Sequence, residues 1–217
     1  MNNLSLGYNF KNCELFNQAI THSSFANDNN KLSYERLEFL GDALLELSVS
    51  QIIYNKTNLN EGQLTKLRAK LVSESYLKNV CDNLKITNYI KLGNSIKNPS
   101  NSIKADVVES IIASIYLDSG NNIEEVLKFV EKFIVVDDDN LNCLINQTID
   151  FKTMLQEYLG ANAKIEYKLK SKSGPEHIPV FNVEIYINNE LISTAIGKTL
   201  KNAEQDCAKS AIEKIKN

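Results

Sequence analysis

The chain is poor in the residues that mark unusual polymers. Three prolines and eight glycines in 217 residues exclude a collagen-like repeat, and 43% hydrophobic with 24% charged residues excludes wholesale disorder. Cysteine is scarce as well. Cys13, Cys81, Cys143 and Cys207 stand far apart with no CxxC between them, which argues against a zinc knuckle or a disulfide framework and fits a reducing cytosol. No apolar run approaches the roughly 20 residues that span a bilayer. The first ten residues, MNNLSLGYNF, lack a basic n-region and an apolar h-region, so no secretory signal is expected. A cytoplasmic location is the resulting expectation.

A single charge balance does not describe the chain. Its net charge of −3 argues against a nucleic-acid partner if spread evenly. Residues 1–149 hold 14 Lys+Arg against 18 Asp+Glu, and residues 150–217 hold 10 against 9. An acidic part is thus joined to a mildly basic one, within the one or two domains the length suggests. The acidic part reads as all-α: segments 34–55, 63–83, 104–118 and about 122–135 carry helical spacing, and Pro99 marks a loop. The polar stretch from Asp137 to Asn140 suggests a linker over 137–148, with Asp137 to Asp139 most simply solvating a helix end. Beyond it, 150–160 reads as a helix stopping at Gly160. Ile165, Tyr167 and Leu169 alternate, as do Phe181, Val183, Ile185 and Ile187, predicting strands. Asn188-Asn189 predicts a hairpin turn into a third strand near 190–196, followed by a helix over 199–216. The expected organisation is an all-α domain at 1–136 and an α-β-β-β-α module at 149–217.

Chemistry concentrates in carboxylates. In Tyr34-Glu35-Arg36-Leu37-Glu38-Phe39-Leu40-Gly41-Asp42, Glu38 and Asp42 are four apart on a helix and project from one face. The polar side of an amphipathic helix would look the same, since a like-charge pair costs only about 0.2–0.5 kcal/mol. Gly41 weighs against that, because glycine inside a helix costs about 1 kcal/mol relative to alanine; something must approach that backbone. The segment Ala105 to Leu117 is apolar nearly all round and should be buried, yet it carries Asp106 and Glu109 on one face. Buried carboxylates need a partner or a metal, and only Lys104 is near in sequence. Four carboxylates without His or Cys suit Mg²⁺, with Mn²⁺ as substitute, and phosphodiester hydrolysis.

The signature Tyr34 to Asp42, continued by Ala43-Leu44-Leu45-Glu46-Leu47, resembles that of the ribonuclease III family. Thr21-His22-Ser23-Ser24, Glu61-Gly62, Leu67-Arg68-Ala69 and Lys104 to Gly120 match too, and the last third resembles a double-stranded-RNA-binding domain. The resemblance covers nearly the whole chain. It implies a homodimeric, Mg²⁺-dependent endoribonuclease that cuts duplex RNA to 5′-phosphate and 3′-hydroxyl ends with a short 3′ overhang, in ribosomal- and messenger-RNA processing. By motif position, Glu38, Asp106 and Glu109 would be metal ligands, with Asp42 and Glu109 catalytic and Asp42 ligating or orienting the water. Glu61 would be an auxiliary acid. Phe39 would insert into the partner subunit, unless it is plain core. His22 is expected to make structural hydrogen bonds at a helix end.

The same resemblance assigns RNA contacts to Thr153, Gln156 and Glu157, to His177 in the loop Gly174-Pro175-Glu176-His177, and to Lys198 and Lys201. Such a module reads A-form shape, 2′-hydroxyls and phosphates. Where relatives carry consecutive lysines, this chain has Leu200-Lys201, implying weaker duplex binding. Leu200 faces RNA on that reading, and extends the apolar stripe of Ala203 and Cys207 on the other. A non-catalytic RNA-binding relative is the alternative function, but a scaffold has no need to retain all four carboxylates together. The attached module argues against a small-molecule phosphohydrolase.

Overall fold

The computed structural model describes residues 6–175 and 178–216. Its first compact unit ends at Leu141 and its second begins at Asn142.

The first unit is helical: α1 (Cys13–Ala19), α2 (Ser23–Asn29), α3 (Glu35–Lys56), α4 (Glu61–Leu71), α5 (Glu74–Asn83), a 3₁₀ turn (Ile86–Tyr89), α6 (Asn101–Asp118) and α7 (Ile123–Val130). Two of these differ from the expected spans. The helix predicted over 63–83 is two, because Val72 leaves helical geometry and Ser73 turns extended before α5. The helix near 122–135 passes at Glu131 into a π-helical turn (Glu131–Val135), which Val136 ends at φ 65°. The capping box of Asn60 and Gln63 fixes the start of α4.

Helix α6 is the axis of this unit, as its all-round apolar sequence predicts. Val107, Val108, Ile111, Ile112, Ala113 and Ile115 are fully enclosed. Ser110 and Ser114 satisfy their buried hydroxyls on backbone carbonyls, at 2.6 Å to Ala19 and 2.7 Å to Ile111. Helix α3 packs along α6. At Gly41 the two are so close that a Cβ would overlap the Glu109 carbonyl. The approach inferred from the energetic cost of that glycine is therefore the α3–α6 crossing.

Most of the stretch expected as a linker is helical: α8 (Asp138–Thr148). The Asp137 carboxylate accepts the Asn140 N–H at 2.8 Å, and Leu141, Leu144 and Ile145 are buried. The polar triplet starts a helix whose apolar stripe begins only at Leu141. The boundary between the two units falls inside it.

The second unit continues with α9 (Phe151–Leu159), β1 (Ile165–Ser173), β2 (Val180–Ile187), β3 (Glu190–Gly197) and α10 (Leu200–Lys216). The strands form one antiparallel sheet in the order β1-β2-β3. Asn188 and Asn189 both take left-handed backbone, φ 51° and 71°, as a tight hairpin requires. Phe151, Leu155, Val183, Ile185, Ala203 and Cys207 are the centre of its core. The expected α-β-β-β-α order is observed.

Candidate functional site

Each carboxylate is set by the α3–α6 crossing. One turn of α3 carries Glu38 and Asp42, and one turn of α6 carries Asp106 and Glu109. Glu38, Asp106 and Glu109 each offer an oxygen, all within 4.8 Å of one another, and all three are half-buried. Two full negative charges about 5 Å apart repel by roughly 3 kcal/mol at an effective dielectric of about 20. Three therefore require a proton or a cation. Among the described residues no Lys or Arg pairs with them, and Lys104, the nearest in sequence, is 2.8 Å from Asp82 instead.

The proton affinities reflect that crowding. Burial first, then the charges of Asp42, Asp106 and Glu38, push Glu109 up to about 8. Burial followed by Asp106, Glu35 and Asp42 raises Glu38. Asp106 is raised by burial, although the Tyr34 hydroxyl donates to its Oδ2 at 3.0 Å and opposes the shift. Asp42 is exposed and stands outside the close trio, but its charge is the largest neighbouring influence on Glu109. The donor set is hard and all-oxygen, which fits a divalent cation that prefers carboxylates.

Tyr34 is the functional neighbour that sequence reasoning passed over. It is 3% exposed, and its N–H donates to the Thr21 carbonyl at 2.9 Å while its hydroxyl holds Asp106. Its place at the head of the signature was the available signal. His22 makes the expected structural bonds: its Nδ1 accepts the Ser24 N–H at 3.1 Å and caps α2.

The remaining residues singled out in the first unit lie elsewhere. Glu61 is exposed at the start of α4, outside the trio, accepting from the Thr65 hydroxyl at 3.2 Å. It lines a cavity of about 430 Å³ with Ile53, Tyr54, Leu59, Leu64 and Arg68. Phe39 is not core. It is 82% exposed on α3, as Leu47 and Tyr54 are at 55% and 72%.

In the second unit Thr153, Gln156 and Glu157 are exposed on α9. The Thr153 hydroxyl donates to Asp150 at 2.9 Å and the Gln156 amide to the Gly160 carbonyl at 3.1 Å. Lys198 and Lys201 are exposed at the start of α10, and Leu200 between them is 41% exposed, so it faces solvent. His177 lies outside the described residues.

A helical unit with a half-buried acidic centre, followed by an α-β-β-β-α module, defines a nuclease joined to a duplex-RNA binder. Residues 12–138 match the family described as Ribonuclease-III-like, and residues 151–215 match the double-stranded RNA binding motif. The chain is 39% identical to Ribonuclease 3 of Listeria monocytogenes, over 97% of this chain and 95% of that protein. It is 39% identical to Ribonuclease 3 of Staphylococcus haemolyticus, over 98% and 89% respectively. A solved nuclease domain of ribonuclease III from Campylobacter jejuni aligns with a TM-score of 0.54 and 34% identity, covering 60% of this chain and 89% of that one. The chain belongs to the ribonuclease III family of double-strand-specific endoribonucleases.

Proposed function

We propose that the protein cuts both strands of duplex RNA as a homodimer, with Mg²⁺ held by Glu38, Asp106 and Glu109 and replaceable by Mn²⁺. The carrying observation is a half-buried carboxylate trio, within 4.8 Å, with which no Lys or Arg among the described residues pairs. When bound, such an ion lowers the pKa of water and offsets charge on the phosphate. Asp42, exposed beside the trio, orients the attacking water. The Tyr34 hydroxyl fixes the Asp106 carboxylate at 3.0 Å. Water adds to phosphorus and the bond to the 3′-oxygen breaks, leaving a 5′-phosphate and a 3′-hydroxyl.

The dimer reading is supported by exposed Phe39 and by the apolar cavity between α3 and α4. A two-fold axis would seat each ring in the other subunit's cavity. Because Glu61 lines that cavity and Phe39 adjoins Glu38, Glu61 would then stand near the partner's acidic centre, as an auxiliary acid. Two centres so related would cut opposite strands with a short 3′ overhang. On the second unit, Thr153, Gln156, Glu157 and His177 would meet minor-groove groups, and Lys198 and Lys201 the phosphates. Domain limits near 1–136 and 149–217, action on ribosomal and messenger RNA precursors, and a cytoplasmic setting complete the reading.

The test is cleavage of long duplex RNA with and without Mg²⁺, using wild type and Glu109→Gln. The substitution keeps shape and removes a charged ligand, so cleavage should fall by orders of magnitude while binding persists. Near-normal turnover at saturating Mg²⁺ would reject the metal assignment. A wild type that binds duplex but never cuts would support the non-catalytic alternative.

A further inference from the structure

Strand β1 pairs regularly with β2 until Leu169, opposite Val183; Lys170 is then bulged out, and pairing resumes with Ser171 opposite Asn182. One extra residue reverses the facing of everything after it. Without the bulge Ser171 would stand opposite Phe181. With it, Lys172 does. Phe181 shares its face with Val183, Ile185 and Ile187, the residues that α10 covers, and its partner on β3 is Gly197, just before Lys198. A Cβ on Gly197 would collide with the Ala203 backbone, so the first turn of α10 lies directly against this row. The Lys172 ammonium sits over the Phe181 ring, 5.4 Å from its centroid. Among the described residues it has no carboxylate within ion-pair distance. The other β1 lysines differ: Lys168 pairs with Glu166 at 3.5 Å and Lys170 with Glu184 at 2.7 Å.

We propose that Lys172 is a phosphate-binding residue of the duplex-RNA interface, completing with Lys198 and Lys201 a three-lysine clamp that offsets Leu200. The inference rests on the RNA-binding reading of the second unit. The Phe181 ring positions the ammonium, and no carboxylate among the described residues competes with an anion for it. The bulge is the device that selects Lys172 over Ser171.

The experiment measures binding of a short blunt RNA duplex to the full chain in EDTA, as a function of KCl, for four proteins. Lys172→Gln should weaken binding roughly threefold or more at low salt and lower the log–log salt slope by about one unit per module. Lys172→Arg should keep the wild-type slope. Lys216→Gln removes a cation that also sits over a ring, Tyr158, but at the far end of α10, and should leave the slope unchanged. A wild type that binds, with no slope change in Lys172→Gln, would overturn the proposal alone. So would an equal loss in Lys216→Gln. A wild type that fails to bind duplex would remove the RNA-binding reading itself. A thermal melt of each variant separates loss of charge from loss of fold.

Discussion

The acidic centre and the duplex-binding module store function in opposite ways. The first gathers like charges on two crossing helices, where geometry is fixed by backbone contact at Gly41 and the repulsion is left for an ion to relieve. The second spreads solvated cations and amides over the rim of a small domain, where each contributes little alone. Electrostatics in a half-buried trio is worth several kcal/mol per group, whereas an exposed charge is worth about 0–1. Single substitutions should therefore be drastic in one region and graded in the other.

The largest effect is expected where backbone meets backbone. Gly41→Ala forces a Cβ into the Glu109 carbonyl, so the α3–α6 crossing must open. Cleavage should become undetectable and the melting temperature should fall; an active, equally stable Gly41→Ala protein would refute the account of the crossing.

Next comes pH. Burial above all pushes the Glu109 carboxyl up to about 8 in the metal-free fold. A carboxyl raised on folding binds its proton more tightly in the native state, so it does not weaken the fold below about 4.5. Its destabilising effect grows as pH rises and levels off above about 8. Metal-free wild type should therefore melt lower at pH 8 than at pH 5, by about 5 °C or more, with Glu109→Gln showing a shallower dependence. Identical pH profiles for the two proteins would contradict this.

The module should show the reverse sign and a smaller size. The side chain of Gln205, then the Thr153 N–H, hold Asp150 down to about 2. That contribution is complete above about 3.8 and lost as pH falls toward 2. Asp150→Ala should cost about 1 kcal/mol as a lost helix cap at neutral pH, and should flatten the acid limb of a melt. An unaltered acid limb would show that the cap is inert.

Legibility followed the same division. Helix α6 was readable because an apolar circumference leaves it nowhere to go but the interior, and Gly41 because its propensity cost demanded a reason. The strands and the Asn188-Asn189 turn were readable from alternation and turn chemistry. The break at Val72-Ser73 was not, because the apolar spacing runs on across it. The helix over 138–148 hid behind three aspartates that read as a break. The exposure of Phe39 was legible only through the resemblance, since its helix is apolar on several sides. The facing of Lys172 was invisible because a single bulge sets it, and no local propensity announces that bulge.

The smallest expected effect probes the rim directly. Leu200 is 41% exposed while Ala203 and Cys207, further along α10, are fully buried. The helix thus begins in solvent and turns into the core within its first turn. Leu200→Lys should add about one unit to the salt slope of duplex binding, and tighten it most at low salt. The melting temperature should hardly move, because a lysine stem can cover the same surface while its ammonium reaches water. Combining it with Lys172→Gln should return the slope to the wild-type value, since one cation is gained as another is lost. An unchanged slope with a clearly lowered melt would instead make Leu200 part of the module's core, and the contrast between a buried centre and a solvated rim would fail at that residue.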